Sequence, residues 1–454
     1  MSPAEIDAAL RQAAALFAAN RLDEAQAIGH AIAAANPGVF HAHHLLAAIA
    51  ARHGRWDECI AAATRALVIE PRNAEVLANR GAALRMLGRI DEALADYDRA
   101  LAAAPQSAEA HNNRGVALAA LNRHDEAIAS YTRALQLKPQ YDRARFNRAM
   151  SRLVSGDFAE GWKDHESRWT GSEMHHGPRA LAGRAWNGRE DLRGKTLLLY
   201  AEQGLGDAIQ FSRYATLAAR RGARVVLEVH APLKPLLERI EGVDRVVALG
   251  EALPAFDLHC ALMSLPLAFG TTLESIPREV PYLSAPTEHA AKWRERLRDR
   301  EGLRVGLAWS GSRTLRNDAN RSIALARLAP LVRPGRAFVS VQRDIRESDR
   351  EALRDLGIAS FDRELADFRD TAGLIDALDV VVSVDTAAAH LAGAMAKPVW
   401  LLLPCAPDWR WMLGREDSPW YPTARLFRQA SAGDWETVVE RVDRALSGGN
   451  LTRG

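Results

Sequence analysis

Four prolines, Pro37, Pro71, Pro105 and Pro139, stand 34 residues apart, and ahead of each, in fixed register, is an acidic pair: Asp23-Glu24, Asp57-Glu58, Asp91-Glu92 and Asp125-Glu126. Chance does not give two markers the same period four times. A unit of this length is one supersecondary element that cannot bury its apolar face alone, so the copies must stack into an array. The first third of the 454-residue chain is therefore committed to a repeat architecture, with room behind it for further domains.

The clearest copies, 74–107 and 108–141, carry Gly81, Leu84, Ala93, Tyr97, Ala100 and Pro105, then Gly115, Leu118, Ala127, Tyr131, Ala134 and Pro139. These positions resemble the tetratricopeptide repeat, a helix-turn-helix unit in which small and aromatic residues let neighbouring helices nest. The copies at 6–39 and 40–73 have Gly29 and Ala63 in place of the aromatic, and a fifth, beginning at 142, decays after 156–162, as capping repeats do. The resemblance implies a helical solenoid over 1–169 whose groove takes an extended peptide or a partner protein; a spacer or dimerisation surface is the plainer alternative. His41, His43 and His44 have no acidic or sulfur ligand nearby and are expected on a solvated helix face rather than at a metal.

Residues 170–192 are Gly-rich without clear period and read as a linker. Beyond them apolar strands at 196–200, 224–229, 244–249, 256–263, 303–309, 337–341, 380–384 and 398–403 alternate with helical segments. Such alternation implies parallel sheets covered on both faces. The charged segment 289–300 divides the strands into two groups, so two Rossmann-like lobes, 193–300 and 301–454, are expected around a cleft, with a last helix at about 434–446 packed across the hinge. The fold class is thus α + α/β.

Two strand-loop-helix units carry the chemistry. The run Val380 to Val384 stops at Asp385-Thr386, continues as an Ala-rich helical segment with His390 and Gly393, and returns through Pro398 to another strand. Upstream, Thr196 to Tyr200 leads through a loop holding Gly204, Gly206 and Asp207 into a helix. In such units the loop lies at the carboxyl end of the strand, and the free N–H groups and dipole of the helix start favour a phosphate. Plainer roles exist for each residue. Asp207 and Asp385 are good helix caps, His390 suits a packed core, tight turns favour Gly204 and Gly206, and Gly393 reads as a helix packing point. The loop 310–323 is dense in Arg, Asn and Gly, and an arginine fork there suits a diphosphate, with Arg313, Arg316 and Arg321 as candidates. Gln342 closes a strand at the same cleft edge, where it is expected to meet a nucleoside. Trp409, Trp411 and Trp420 either line an acceptor mouth or pack under a long loop.

The GLGD at 204–207 and VDTAAAHLAGA at 384–394 together resemble the heptosyltransferase family of glycosyltransferases, in which a Gly-Asp loop faces an Asp-Thr/Ser, His-containing loop across a two-lobed GT-B cleft. The resemblance covers about 193–445. It implies a nucleotide-sugar donor as substrate and no cofactor, with Asp207 as base. Gly204, Gly206, Arg321, Gln342, Asp385, Thr386 and His390 would surround the donor, and transfer would be inverting. Sugar transfer needs a base for the acceptor hydroxyl and a positive setting for the departing phosphates. This half carries no Asp-x-Asp motif and no metal-ligand spacing, so a metal-independent mechanism is expected. Joined to the repeats, the layout also resembles bacterial repeat-containing transferases that act on proteins, including flagellins, and the O-linked N-acetylglucosamine transferases. A protein acceptor captured by the repeats is therefore expected, with a lipopolysaccharide-type acceptor or a non-catalytic scaffold as alternatives.

A dinucleotide-dependent oxidoreductase is disfavoured: GLGDAI, with Glu228 about 20 residues on, is two thirds of a G-x-G-x-x-G fingerprint, but Ile209 fills the third glycine position. A net charge of +2 argues against nucleic acid as the main partner. No apolar run approaches the roughly 20 residues of a membrane span, and the N-terminus lacks a basic-then-apolar signal, so a cytoplasmic protein is expected. Cys59, Cys260 and Cys405 are too dispersed for a zinc site or disulfide framework and read as buried thiols.

Overall fold

The computed structural model of the chain describes residues 1–172, 177–313, 318–449 and 451. Residues 1–152 with 164–177 form one compact unit, and 153–163 with Pro178 onward form another. The first begins with four helical hairpins: Pro3–Ala18 and Leu22–Ala35, Phe40–Arg52 and Trp56–Ile69, Ala74–Met86 and Ile90–Ala103, Ala108–Ala120 and His124–Leu137. Each periodic proline follows the residue that ends a second helix. A residue before proline is driven out of the helical region, and Asn36, Glu70, Ala104 and Lys138 take φ between −140° and −123° with ψ between 77° and 87°. The acidic pairs occupy the first turn of the same helices, where negative charge complements the dipole.

Within a hairpin, residue size is matched between the two helices. A Cβ on Gly81 would lie 2.9 Å from Tyr97, and one on Gly115 would lie 2.5 Å from Tyr131. Where Tyr97 is replaced in register by Ala63, Gly81 is replaced by Ala47, and both alanines are buried. Arginines one period apart tie the hairpins further: Arg80 forks onto Asp96 at 2.7 Å, Arg114 reaches Asp98 at 2.6 Å and Ser130 at 2.8 Å, and Arg148 reaches Asp164 at 2.7 Å. The expectation of a solvated face at His41, His43 and His44 is corrected at His43. It is buried because its Nε2 bonds the carbonyl of Pro37 at 2.8 Å and so fastens the preceding turn. Cys59 and Cys260 are buried, whereas Cys405 is only partly so.

The second unit holds two five-stranded parallel sheets. The first, in the order β1-β5-β2-β3-β4, comprises β1 (Arg184–Ala185), β2 (Thr196–Tyr200), β3 (Arg224–Val229), β4 (Val243–Ala248) and β5 (Leu258–Ala261). The second, in the order β10-β9-β8-β6-β7, comprises β6 (Leu303–Ala308), β7 (Arg336–Ser340), β8 (Val380–Val384), β9 (Val399–Leu403) and β10 (Ala424–Arg428). β8 and β9 are buried along their whole length, as strands covered on both faces must be. In each sheet the chain runs outward one way and then crosses to the other side, between β2 and β5 and between β6 and β8. Ligands of open α/β sheets bind at such switch points, beyond the carboxyl ends of the strands.

Three sequence expectations change. The stretch 170–192 is more than a linker, for it supplies β1 and buries Trp186 edge-on against Phe269 at 5.2 Å. The edge strand β10 went unread because arginines interrupt its apolar residues. The last helix, Trp435–Ser447, does not cross the hinge. Its stripe of Trp435, Val438, Val439, Val442 and Leu446 is buried in one cluster with Val305, Val380 and Trp400 of the second sheet. Burial of five such side chains, at about 1.5–3 kcal/mol each, holds it to that lobe.

Candidate functional site

The loop after β2 enters helix Leu205–Phe211, whose N-cap is Gly204. Asp207 Oδ2 accepts the Gly204 amide at 2.8 Å, so the aspartate does cap its helix. Its other oxygen, Oδ1, is engaged by Arg410. Gly204 and Gly206 both line the cleft, but their small size answers to protein neighbours and not only to a ligand: a Cβ at 204 would meet Asp207 Oδ2 at 3.2 Å, and one at 206 would meet His390 Cδ2 at 2.8 Å.

The loop after β8 is the opposite wall. Thr386 precedes helix Ala387–Ala394 without a side-chain capping bond, because its hydroxyl is taken by Ser383 Oγ at 3.0 Å. The first-turn amides therefore face the cleft available to an anion. His390 was expected to offer its imidazole to that anion; instead both ring nitrogens have protein partners. Nδ1 is 2.9 Å from the Tyr421 hydroxyl and Nε2 is 3.5 Å from Asp385, with the ring stacked on Trp411. Burial alone would push the Asp385 carboxyl up, but the His390 bond and the charges of His390 and Arg410 outweigh it and hold the carboxyl at about 2. Gly393 is a packing point, since a Cβ there would come to 2.5 Å from Tyr421.

Arg321 joins the loop after β6 to the loop after β8: its Nη1 donates to the Asp385 carbonyl at 2.9 Å and its Nε to Asp318 at 3.3 Å. Asp318 is also paired with Arg346. Arg313 lines the same cleft, exposed and without an ion pair among the described residues, while Arg316 lies outside them. Gln342 lines the cleft, and its side chain also organises the loop after β6. Its Oε1 accepts the amides of Trp309 and Ser310 at 2.6 and 2.8 Å, and its Nε2 donates to Ser310 Oγ at 3.1 Å, so the amide is already spent. Of the two roles left open for the tryptophans, packing is the one found: Trp409, Trp411 and Trp420 are buried, with Trp409 edge-on to Trp162 at 5.1 Å and Trp420 stacked with Phe158 at 6.1 Å.

The sequence reading missed Arg410, although it sits between the tryptophans of DWRW. It is 6% exposed and spends its guanidinium on Gln210 Oε1 at 2.7 Å, Asp408 Oδ1 at 2.9 Å and Asp207. Burial would lower its pKa; Asp408, then Asp207 and Asp385, raise it instead and keep the group charged. Asp207, Arg321, Asp385, Thr386, His390 and Arg410 all line one cleft of about 930 Å³ between the lobes. Its lining mixes aspartates with arginines, among them Asp344 and Asp367 beside Arg343 and Arg346. Among the described residues no cluster of His, Cys, Asp and Glu could hold a metal ion, and no helix is long and apolar enough to cross a membrane.

Comparison with known proteins places tetratricopeptide repeats at residues 44–108, 79–142 and 122–161. Protein FlbA of Caulobacter vibrioides is 31% identical over 320 residues, which is 65% of this chain and 53% of FlbA. The chain thus spans about half the length of this curated relative. Among solved structures, MamA is 21% identical with a TM-score of 0.33, covering 34% of this chain and 91% of MamA. PilF of Pseudomonas aeruginosa is 18% identical with a TM-score of 0.34, covering 37% of this chain and 76% of PilF. The family match over 44–161 makes the repeats of the tetratricopeptide kind, a scaffold suited to a peptide or protein partner.

Proposed function

We propose that this chain is a glycosyltransferase of GT-B architecture that moves a sugar from a nucleotide-sugar donor to a hydroxyl acceptor, with Asp207 as the base. The observation that carries the reading is the meeting of an uncapped helix start at Thr386 with Asp207 across one cleft. Phosphate oxygens would take the first-turn amides and the free face of Arg321. The attacking hydroxyl would lie beside Asp207, each of whose carboxylate oxygens keeps lone-pair capacity beyond its present bond. Positive groups on the donor side and a carboxylate on the acceptor side are the division that the reaction requires. The resemblance of the two loops to heptosyltransferases supports the same reading, and the repeats favour a protein acceptor, which they would hold as an extended segment.

A thermal-shift panel of ADP, UDP, GDP, CMP and NAD against the wild type and Arg321→Ala tests it. Stabilisation by one nucleoside phosphate, weakened in the variant, is the expected result. No shift with any nucleotide sinks the donor site, and a shift with NAD alone turns the reading towards an oxidoreductase. Label from the matching nucleotide-sugar, followed into protein or glycolipid fractions, then separates the two acceptor classes.

A further inference from the structure

We infer that Arg410 is the residue that positions Asp207, and that it makes assembly of the site conditional on the two lobes being closed on each other. The inference rests on the transferase reading only for its consequence in turnover; the coupling itself stands on geometry. Asp207 and Gln210 are three residues apart on helix Leu205–Phe211 and so share a face. Arg410, from the other lobe, reaches both, with Nη2 to Asp207 and Nε to Gln210, while Nη1 ties it back to Asp408 on its own lobe. One planar fork thus spans the cleft floor, and its rigidity transmits the position of one lobe to the carboxylate of the other. Gln210 is fully buried with its Nε2 lacking a hydrogen-bond partner among the described residues, so its amide is turned to serve Arg410 at a cost of its own.

Lobe contact does not depend on Arg410 alone. Arg213 of the first lobe donates to the carbonyls of Pro277 and Trp420 at 2.9 and 2.8 Å and packs over Tyr421. It does not line the cleft, and only its contacts with Trp420 and Tyr421 cross between the lobes; its Nη2 donates to the Tyr282 hydroxyl at 3.1 Å within the first lobe. Separation of the lobes at the cleft would strip Asp207 of its cation and leave Arg410, now open to water, with Asp408 only. The open form therefore keeps Asp207 on the Gly204 amide alone, without the bond across the cleft that fixes its Oδ1.

The test is Arg410→Lys in the full chain. A lysine keeps the charge but, as a compact point charge, cannot span both lobes. Amide hydrogen exchange over 203–211 is expected to speed up by about tenfold or more, although the substitution lies in the other lobe, with β6, β8 and β9 unchanged. Unchanged protection over 203–211 overturns the inference. Should Arg410→Lys fail to fold, Gln210→Leu removes one arm of the fork from the opposite side and is expected to raise exchange in the same segment to a smaller degree; no rise there is again an overturning result. In turnover, kcat should fall on the order of a hundredfold with donor KM nearly unchanged, and the loss should vanish in an Asp207→Asn background, because a positioning residue has nothing left to position. Additive losses would mean a general structural role and overturn the positioning claim. A wild type that transfers no sugar would remove the transferase reading, while the exchange result would still decide the coupling.

Discussion

Gly206 lies beneath the imidazole of His390, so close that a Cβ on residue 206 would come to 2.8 Å from Cδ2. Two loops that read in the sequence as separate ligand loops are therefore in contact, and the second glycine of GLGD is required by the other lobe. Gly206→Ala is expected to destabilise the second unit by about 1–3 kcal/mol, the usual cost of forcing a methyl into a filled space. In a His390→Ala background the same change should cost far less, since the obstructing ring is gone. Urea unfolding of the four proteins measures this. Equal costs in both backgrounds would show that the contact does not constrain residue 206.

Asp207→Asn keeps an oxygen for the Gly204 amide but loses both the charge facing Arg410 and the proton acceptor. Transfer should drop on the order of a hundredfold or more, as removal of a general base does, while the nucleotide-induced thermal shift persists, because the donor phosphates face the other lobe. A variant with full turnover would take Asp207 out of the mechanism.

Asp385 gives a pH signature. Its carboxyl is held at about 2 in the fold, below the ordinary carboxylate range, by the His390 bond and the charges of His390 and Arg410 against the effect of burial. A depressed carboxyl contributes stability above its unfolded pKa and loses it as pH falls through the folded value. The stability gap between wild type and Asp385→Asn should thus narrow as the pH falls between about 4 and 2.5. Denaturant midpoints across that range test it; a gap that widens on acidification would mean that the His390 and Arg410 charges do not hold the carboxyl down.

What could be read ahead of the structure divides along physical lines. The repeat boundaries were legible because proline and first-turn acids act locally on the backbone, so spacing alone locates them. The strands β2, β3 and β8 were legible because each is a short, dense apolar run. The positions of Asp207, Asp385 and Thr386 at one cleft followed from the rule that such loops end parallel strands at a switch point. The partners of those residues were not legible. Arg410 is 203 residues from Asp207, and a lone arginine among tryptophans carries no periodic signal. Gln342 and His390 were read as ligand groups because their bonds to Trp309, Ser310 and Tyr421 are made through the fold and not along the chain.

The last prediction concerns the size matching in the repeats. Replacing a helical glycine by alanine ordinarily stabilises a helix by about 1 kcal/mol. At Gly115 the sign should reverse, because the new methyl would sit 2.5 Å from the Tyr131 ring, which is buried and cannot swing away. Tyr131→Ala removes the obstacle but opens a cavity, at a cost of about 3 kcal/mol or more. The double variant, Gly115→Ala with Tyr131→Ala, recreates the alanine pair that the chain already uses at Ala47 and Ala63. Its apparent midpoint of thermal helix loss should lie above that expected from adding the two single losses, with the alanine at 115 now favourable on its own account. Strict additivity would show that the glycine and the tyrosine are not matched to each other and that the nesting of these helices is set elsewhere.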